Sequence, residues 1–173
     1  MLIPTLQRGA LVSLMTLLGG SARADLPAVG QPAPAFQSVD QDGKPVSLAE
    51  FKGRAVVLYF YPKDDTPGCT KEACSFRDGY AQIQATGAVI LGVSADDAKS
   101  HKAFAEKYHL PFQLVADAKH AIIDAYGVRM PLMGWAKRTT FIIDKAGVVQ
   151  KVFEGVSPAT HEPEVLAALK ALP

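Results

Sequence analysis

Cys69 and Cys74 are the two cysteines of the chain, and their setting and spacing are where chemistry is to be sought. Cys69 comes after an apolar run, Ala55 to Tyr61, and a Pro67-Gly68 turn, and a helical pattern begins at about Cys69. A thiol at a helix start meets backbone N–H groups that lack intrahelical partners and the positive end of the helix dipole. Both favour the thiolate, the nucleophilic form of cysteine. An inert cysteine filling a core gap is the alternative. It fits less well with the polar and turn-forming neighbours Pro67-Gly68 and Thr70-Lys71-Glu72.

Cys74 follows at i+5. In an intact helix, five residues rise about 7.5 Å and turn about 140°, which sets the two Cα atoms about 8.7 Å apart. A disulfide takes Cα atoms at about 4.4–6.8 Å. The spacing therefore points to a redox couple whose oxidation unwinds the helix start. A permanent structural disulfide would require this segment not to be helical. A metal site is a poorer reading still, because the cysteine spacing is not CxxC and His101, His109, His120 and His161 form no ligand pair. Those four histidines are expected at solvated helix and loop positions.

The elements that must hold Cys69 can be read around it. Ala55 to Tyr61 (AVVLYFY) is continuously apolar, β-branched and aromatic, the pattern of a central strand buried on both faces. Ala88 to Val93 predicts a second buried strand, and Asp96 a cap for a helix running to Tyr108. One helix is expected from about Cys69 to Ala85, a strand over Phe112–Val115 and a short helix from Ala118 to Tyr126. Before the central strand, Phe36–Val39 can pair with a strand after the Asp40–Gly43 turn, and Ser47-x-x-Glu50 has capping-box spacing for a short helix. Arg129–Lys137 reads as a loop whose Pro131–Trp135 stretch lines a pocket mouth or joins the core. Thr139–Ile143 and Val148–Phe153 form a hairpin, and Glu162–Leu172 a terminal helix. Strands alternating with helices and ending in a hairpin and a helix give an α/β fold with a central mixed sheet flanked by helices.

Composition narrows the partners. At 173 residues the chain is one domain, and its net charge of +1 gives no electrostatic case for nucleic acid or an anionic membrane. Residues 1–24 have Arg8 ahead of an apolar stretch, Gly9–Gly20, and close on Ala22-Arg23-Ala24, the order of a signal peptide cleaved after Ala24. The apolar stretch, about 12 residues, is shorter than the roughly 20 of a membrane span. Cleavage would leave residues 25–173 as the mature domain, with Arg8 and Arg23 removed and the charge turned from +1 to −1. A periplasmic or secreted location, without stable membrane association, is the expectation, and thiols there are either a durable disulfide or a redox couple.

The segment Phe60–Asp78, FYPKDDTPGCTKEACSFRD, resembles the active-site segment of the peroxiredoxin Q (bacterioferritin comigratory protein) subfamily, an atypical two-cysteine branch of the peroxiredoxins. Pro62, Thr66 and Cys69 meet the signature Pro-x-x-x-Thr-x-x-Cys, and Arg138–Asp144 (RTTFIID) resembles that family's arginine-bearing strand. The order of elements is similar from about Val29 to the C-terminus. The resemblance implies a thioredoxin-like fold and a thiol-dependent peroxidase acting on hydrogen peroxide and organic hydroperoxides. It makes Cys69 the thiol that attacks peroxide and becomes a sulfenic acid, and Cys74 the resolving thiol of an intrachain disulfide. Thr66 would accept from the peroxide while donating to the sulfur, Arg138 would stabilise the thiolate and the charge developing across the O–O bond, and Pro62 would screen the pocket. Glu72 is expected foremost as a helix-start acid, and the resemblance also permits it a role in organising the site. The implied partners are the peroxide and a thioredoxin-like or other dithiol reductant, with no cofactor or metal and a monomeric chain. A secreted thiol–disulfide oxidoreductase, which usually carries CxxC, and a non-enzymatic domain stapled by one disulfide are the alternatives.

Overall fold

The computed structural model describes residues 25–173, so the predicted signal peptide lies outside the described residues. Seven strands form one mixed sheet: β1 (Gln37–Asp40), β2 (Pro45–Ser47), β3 (Val56–Phe60), β4 (Val89–Ser94), β5 (Gln113–Ala116), β6 (Thr139–Ile143) and β7 (Val149–Glu154). They lie in the order β2-β1-β5-β4-β3-β6-β7. Strands β3, β4 and β5 run parallel, while β6 pairs antiparallel with β3 and β7 with β6.

The two-faced apolar run behaves as its pattern requires. Every residue of β3 is buried, between β4 on one side and β6 on the other. Successive side chains of a strand point to opposite faces. Val57, Tyr59 and Tyr61 accordingly join a core with Phe76, Ile83, Phe104, Val165 and Leu169. Val56, Leu58 and Phe60 join a second core with Ile122, Ile123, Tyr126 and Phe141. The first core is covered by α1 (Pro67–Asp78), α2 (Tyr80–Ala85), α3 (Ala98–Tyr108) and α5 (His161–Lys170), and the second by α4 (Ala121–Ala125). Gly92 sits opposite Tyr59 in the β3–β4 register, and a Cβ there would come within 2.7 Å of the tyrosine ring.

Four local expectations are corrected. The helix expected over Cys69–Ala85 begins two residues earlier, at Pro67, and is two helices divided at Gly79. The Glu162 carboxylate lies 2.2 Å from where a Cβ of residue 79 would stand, so a larger residue there would have to displace that side chain. The Ser47–Glu50 box makes a 3-10 turn over Leu48–Phe51, because Ser47 Oγ donates to the Glu50 carboxylate (2.9 Å) and not to a backbone group. Helix α3 is capped by Asp97, whose carboxylate accepts from Ser100 N (2.8 Å), while Asp96 turns inward to Ser94 Oγ and Asp64 N. Finally, His101 and His161 are fully buried, not solvated.

Candidate active site

The loop leaving β3 at its C-terminal end delivers Cys69 to the first turn of α1. Pro67 stands at the first helical position, where its missing N–H costs nothing. The Thr70 N–H is the first to close a helical bond, to Thr66 O at 2.8 Å. The N–H groups of Gly68 and Cys69 therefore precede the intrahelical ladder. Cys69 is 2% exposed, and Arg138, at the threshold of β6, donates from Nη2 to its Sγ at 3.4 Å. Sequence separation of 69 residues is closed by the β3–β6 pairing, in which Phe60 stands opposite Thr139. A Cβ at Gly68 would sit 3.2 Å from Arg138 Nη2, so the small residue keeps the guanidinium against the sulfur.

The other guanidinium nitrogen, Nη1, donates to Glu72 Oε2. Glu72 is 1% exposed and lies one helical turn beyond Cys69 on the same face. It is thus part of the site, which favours the organising role over that of a plain helix-start acid. Burial pushes its carboxyl up to about 7, while the charge and hydrogen bond of Arg138 pull the other way. Burial also works against the Arg138 charge, but Glu72 and Cys69 outweigh it and keep the guanidinium cationic. Behind them His161 accepts or donates at Thr140 Oγ1 (2.8 Å) and lies edge-on to Phe76 and Phe153. Its burial, with the charge of Arg138, pushes the imidazole down to about 4.

Thr66 and Pro62 occupy the same loop. Thr66 is the N-cap residue of α1, yet its Oγ1 donates to Lys63 O at 3.0 Å and makes no cap bond. Its single hydroxyl hydrogen is therefore spent on the loop and not on Cys69 Sγ, while its lone pairs can still accept. Pro62 is half-buried directly after Tyr61. Cys74 is half-buried in the same unbroken helix and lines an open groove with Lys71, Ser75, Gly79 and Pro158. Both cysteines are free thiols. The Pro131–Trp135 stretch is not core: Leu132 is 98% exposed and Met133 55%, and Lys63 Nζ lies over the Trp135 ring at 5.7 Å, beside the cysteine loop.

The structure thus brings Cys69, Arg138 and Glu72 together, with Thr66 and Pro62 on the adjoining loop and Cys74 facing a separate groove. Residues 29–152 match the family model described as the AhpC/TSA family. The chain is 49% identical over 145 residues to the chloroplastic peroxiredoxin Q of Populus jackii, covering 83% of this chain and 68% of that one. It is 46% identical over 147 residues to the putative peroxiredoxin bcp of Coxiella burnetii, covering 82% and 97%. Among solved structures, peroxidoxin BcpB from Mycobacterium tuberculosis superposes with a TM-score of 0.80 at 36% identity, covering 85% of this chain and 99% of that one. Xanthomonas campestris peroxiredoxin Q does so with a TM-score of 0.75 at 37% identity, covering 79% and 90%.

Proposed function

The chain belongs to the AhpC/TSA family as a thiol-dependent peroxidase of the peroxiredoxin Q type, with a thioredoxin-like fold, and from that premise we propose that Cys69 is its peroxide-reacting thiol and Cys74 its resolving thiol. The observation that carries the assignment is the guanidinium of Arg138 on the sulfur of a buried cysteine at a helix N-terminus. The Cys69 thiolate attacks one peroxide oxygen, an S–O bond forms as the O–O bond breaks, and the departing alkoxide or hydroxide takes a proton to leave as alcohol or water. Arg138 supplies donors that are already in place as charge moves onto the oxygens. Thr66 Oγ1 accepts from the peroxide O–H, and Pro62 shields the pocket.

Cys74 then attacks the sulfenic sulfur and expels water, giving the Cys69–Cys74 disulfide. Because both cysteines lie in α1, roughly 8.7 Å apart at Cα in an ideal helix, the helix start unwinds to let them meet. A thioredoxin-like or other dithiol reduces the disulfide and is itself oxidised. Hydrogen peroxide and organic hydroperoxides are the substrates; alkyl peroxide reduction is named for the Xanthomonas campestris relative. Arg8, the Gly9–Gly20 stretch and Ala22-Arg23-Ala24 support export to the periplasm or beyond with cleavage after Ala24, and the working form is a monomer without stable membrane association.

Peroxide titration with alkylation of the remaining thiols tests the roles. Wild-type protein without reductant should consume one equivalent and retain no free thiol. Cys74→Ser should consume one equivalent to reach the sulfenic acid, with any further oxidation consuming more, and Cys69→Ser should consume none. Turnover by Cys69→Ser would reverse the roles of the cysteines.

A further inference from the structure

The β3–α1 loop carries two consecutive aspartates, and both are tied to α3. Asp65 takes a left-handed backbone (φ 56°), a conformation short polar side chains tolerate better than most. Its exposed carboxylate meets Lys107 Nζ (2.6 Å) and Tyr108 Oη (2.6 Å) near the end of α3. The preceding residue, Asp64, points the other way and is buried. Its carboxylate accepts from Tyr61 Oη (2.7 Å), Ser100 Oγ (2.7 Å) and His101 Nδ1 (2.8 Å), and its backbone N–H donates to Asp96 Oδ2 (2.9 Å). His101 Nε2 in turn lies 3.2 Å from Val115 O on β5. An oxygen thus stands at each ring nitrogen of His101, which ties the ring between the loop and the sheet.

This cluster ties the residue after β3 to α3 and β5, and its hydrogen bonds include neither Cys69 nor Arg138. What it fixes is the five-residue run, Pro62–Thr66, on which Thr66 and the start of α1 depend. We infer that the buried Asp64–His101 pair is a positioning device for the reacting cysteine, holding the β3–α1 loop so that Thr66, Cys69 and Arg138 keep their relative places. The inference rests on the reading of Cys69 as the peroxide-reacting thiol. A buried pair of this kind is weak evidence for stability, since an apolar replacement often serves as well. Its value lies in direction: three side-chain donors converging on one carboxylate leave the loop a single seat. Reacting groups displaced by about 1 Å lose about 100-fold in rate.

The test is single-turnover oxidation of Cys69 by hydrogen peroxide, followed well below the unfolding temperature, in Asp64→Asn, His101→Gln and the double variant. Each single variant should slow oxidation by roughly 10- to 100-fold, and the double variant should be no slower than the slower single. Val149→Ala, a destabilising change in the opposite core, should oxidise at the wild-type rate. Ser100→Ala removes one donor and leaves the pair; the loss of one hydrogen bond should slow oxidation by roughly fivefold, which keeps the test open should a pair variant fail to fold. Wild-type rates in the pair variants or in Ser100→Ala, or slowing matched by Val149→Ala, would overturn the inference. Cys69→Ser in the same assay separates the two readings. Oxidation persisting there would overturn the reacting thiol and the pair with it, whereas an inert Cys69→Ser beside an unslowed Asp64→Asn overturns the pair alone.

Discussion

Replacing Glu72 by glutamine should expose a pH dependence of stability that the wild-type protein conceals. Two buried groups near Arg138 titrate away from their ordinary values in opposite senses. Glu72 is raised from 4.5 to about 7, so its contribution to stability is fully present below about 4.5 and is lost as pH rises through 7. His161 is lowered from 6.5 to about 4, so its contribution is present above about 6.5 and is lost as pH falls through 4. Each pH unit by which a group's folded and unfolded values differ is worth about 1.4 kcal/mol. Going from about pH 8 to about pH 5 therefore gains roughly 2–3 kcal/mol from Glu72 and loses roughly 2 kcal/mol from His161. The two nearly cancel. Glu72→Gln keeps a hydrogen-bonding group of the same shape beside Arg138 but removes the titration. The variant should therefore lose roughly 2–3 kcal/mol relative to wild type over that descent. Urea unfolding of the reduced proteins across this range measures it through the midpoint at constant slope. Parallel pH profiles for the two proteins would refute the reasoning, because every other titrating group is common to both.

Arg138→Met removes a charge-assisted donor from Cys69 Sγ, an interaction of about 1.5–3 kcal/mol, and should slow single-turnover oxidation by roughly 10- to 100-fold. Fluorescence of Trp135, the one tryptophan in the chain, offers a readout beside the cysteine loop, and a rate within about twofold of wild type would remove Arg138 from the chemistry. Oxidation should also strip hydrogen-exchange protection from the amides of Cys69–Ser75 while Val56–Phe60 of β3 keep theirs. Equal protection in both redox forms would contradict an unwinding helix start.

The strands were the most legible part of the fold. A run such as AVVLYFY has no polar face to offer, so a central place with both faces buried follows from its pattern, while its neighbours β4 and β6 do not. Cys69 was legible because a Pro-Gly turn and a helix start are local signals. What the sequence concealed were side chains whose role depends on distant partners. Glu72 has the type and position of a helix-start acid, and only Arg138, 66 residues away, makes it part of the site. His101 and His161 carry no local mark of burial; the first is drawn in by Asp64 and Val115 O, the second by Thr140 and the rings of Phe76 and Phe153. The split of α1 from α2 falls at Gly79, against which Glu162 of α5 packs, a contact with no trace in the local pattern.

Glu72 lies in the chain between the two cysteines, and on the roles proposed for Cys69 and Cys74 this has a kinetic consequence. Drawing the cysteines together would take the intervening turn with it, and so would pull the carboxylate away from Arg138. The event that completes one reaction would thereby dismantle the place where the next would begin. An oxidised molecule would then be out of service until an outside dithiol restores it. When that dithiol is scarce, a population of these molecules removes one peroxide each and then stops, acting as a stoichiometric scavenger. When it is plentiful, throughput follows the supply of reducing equivalents more closely than the supply of peroxide.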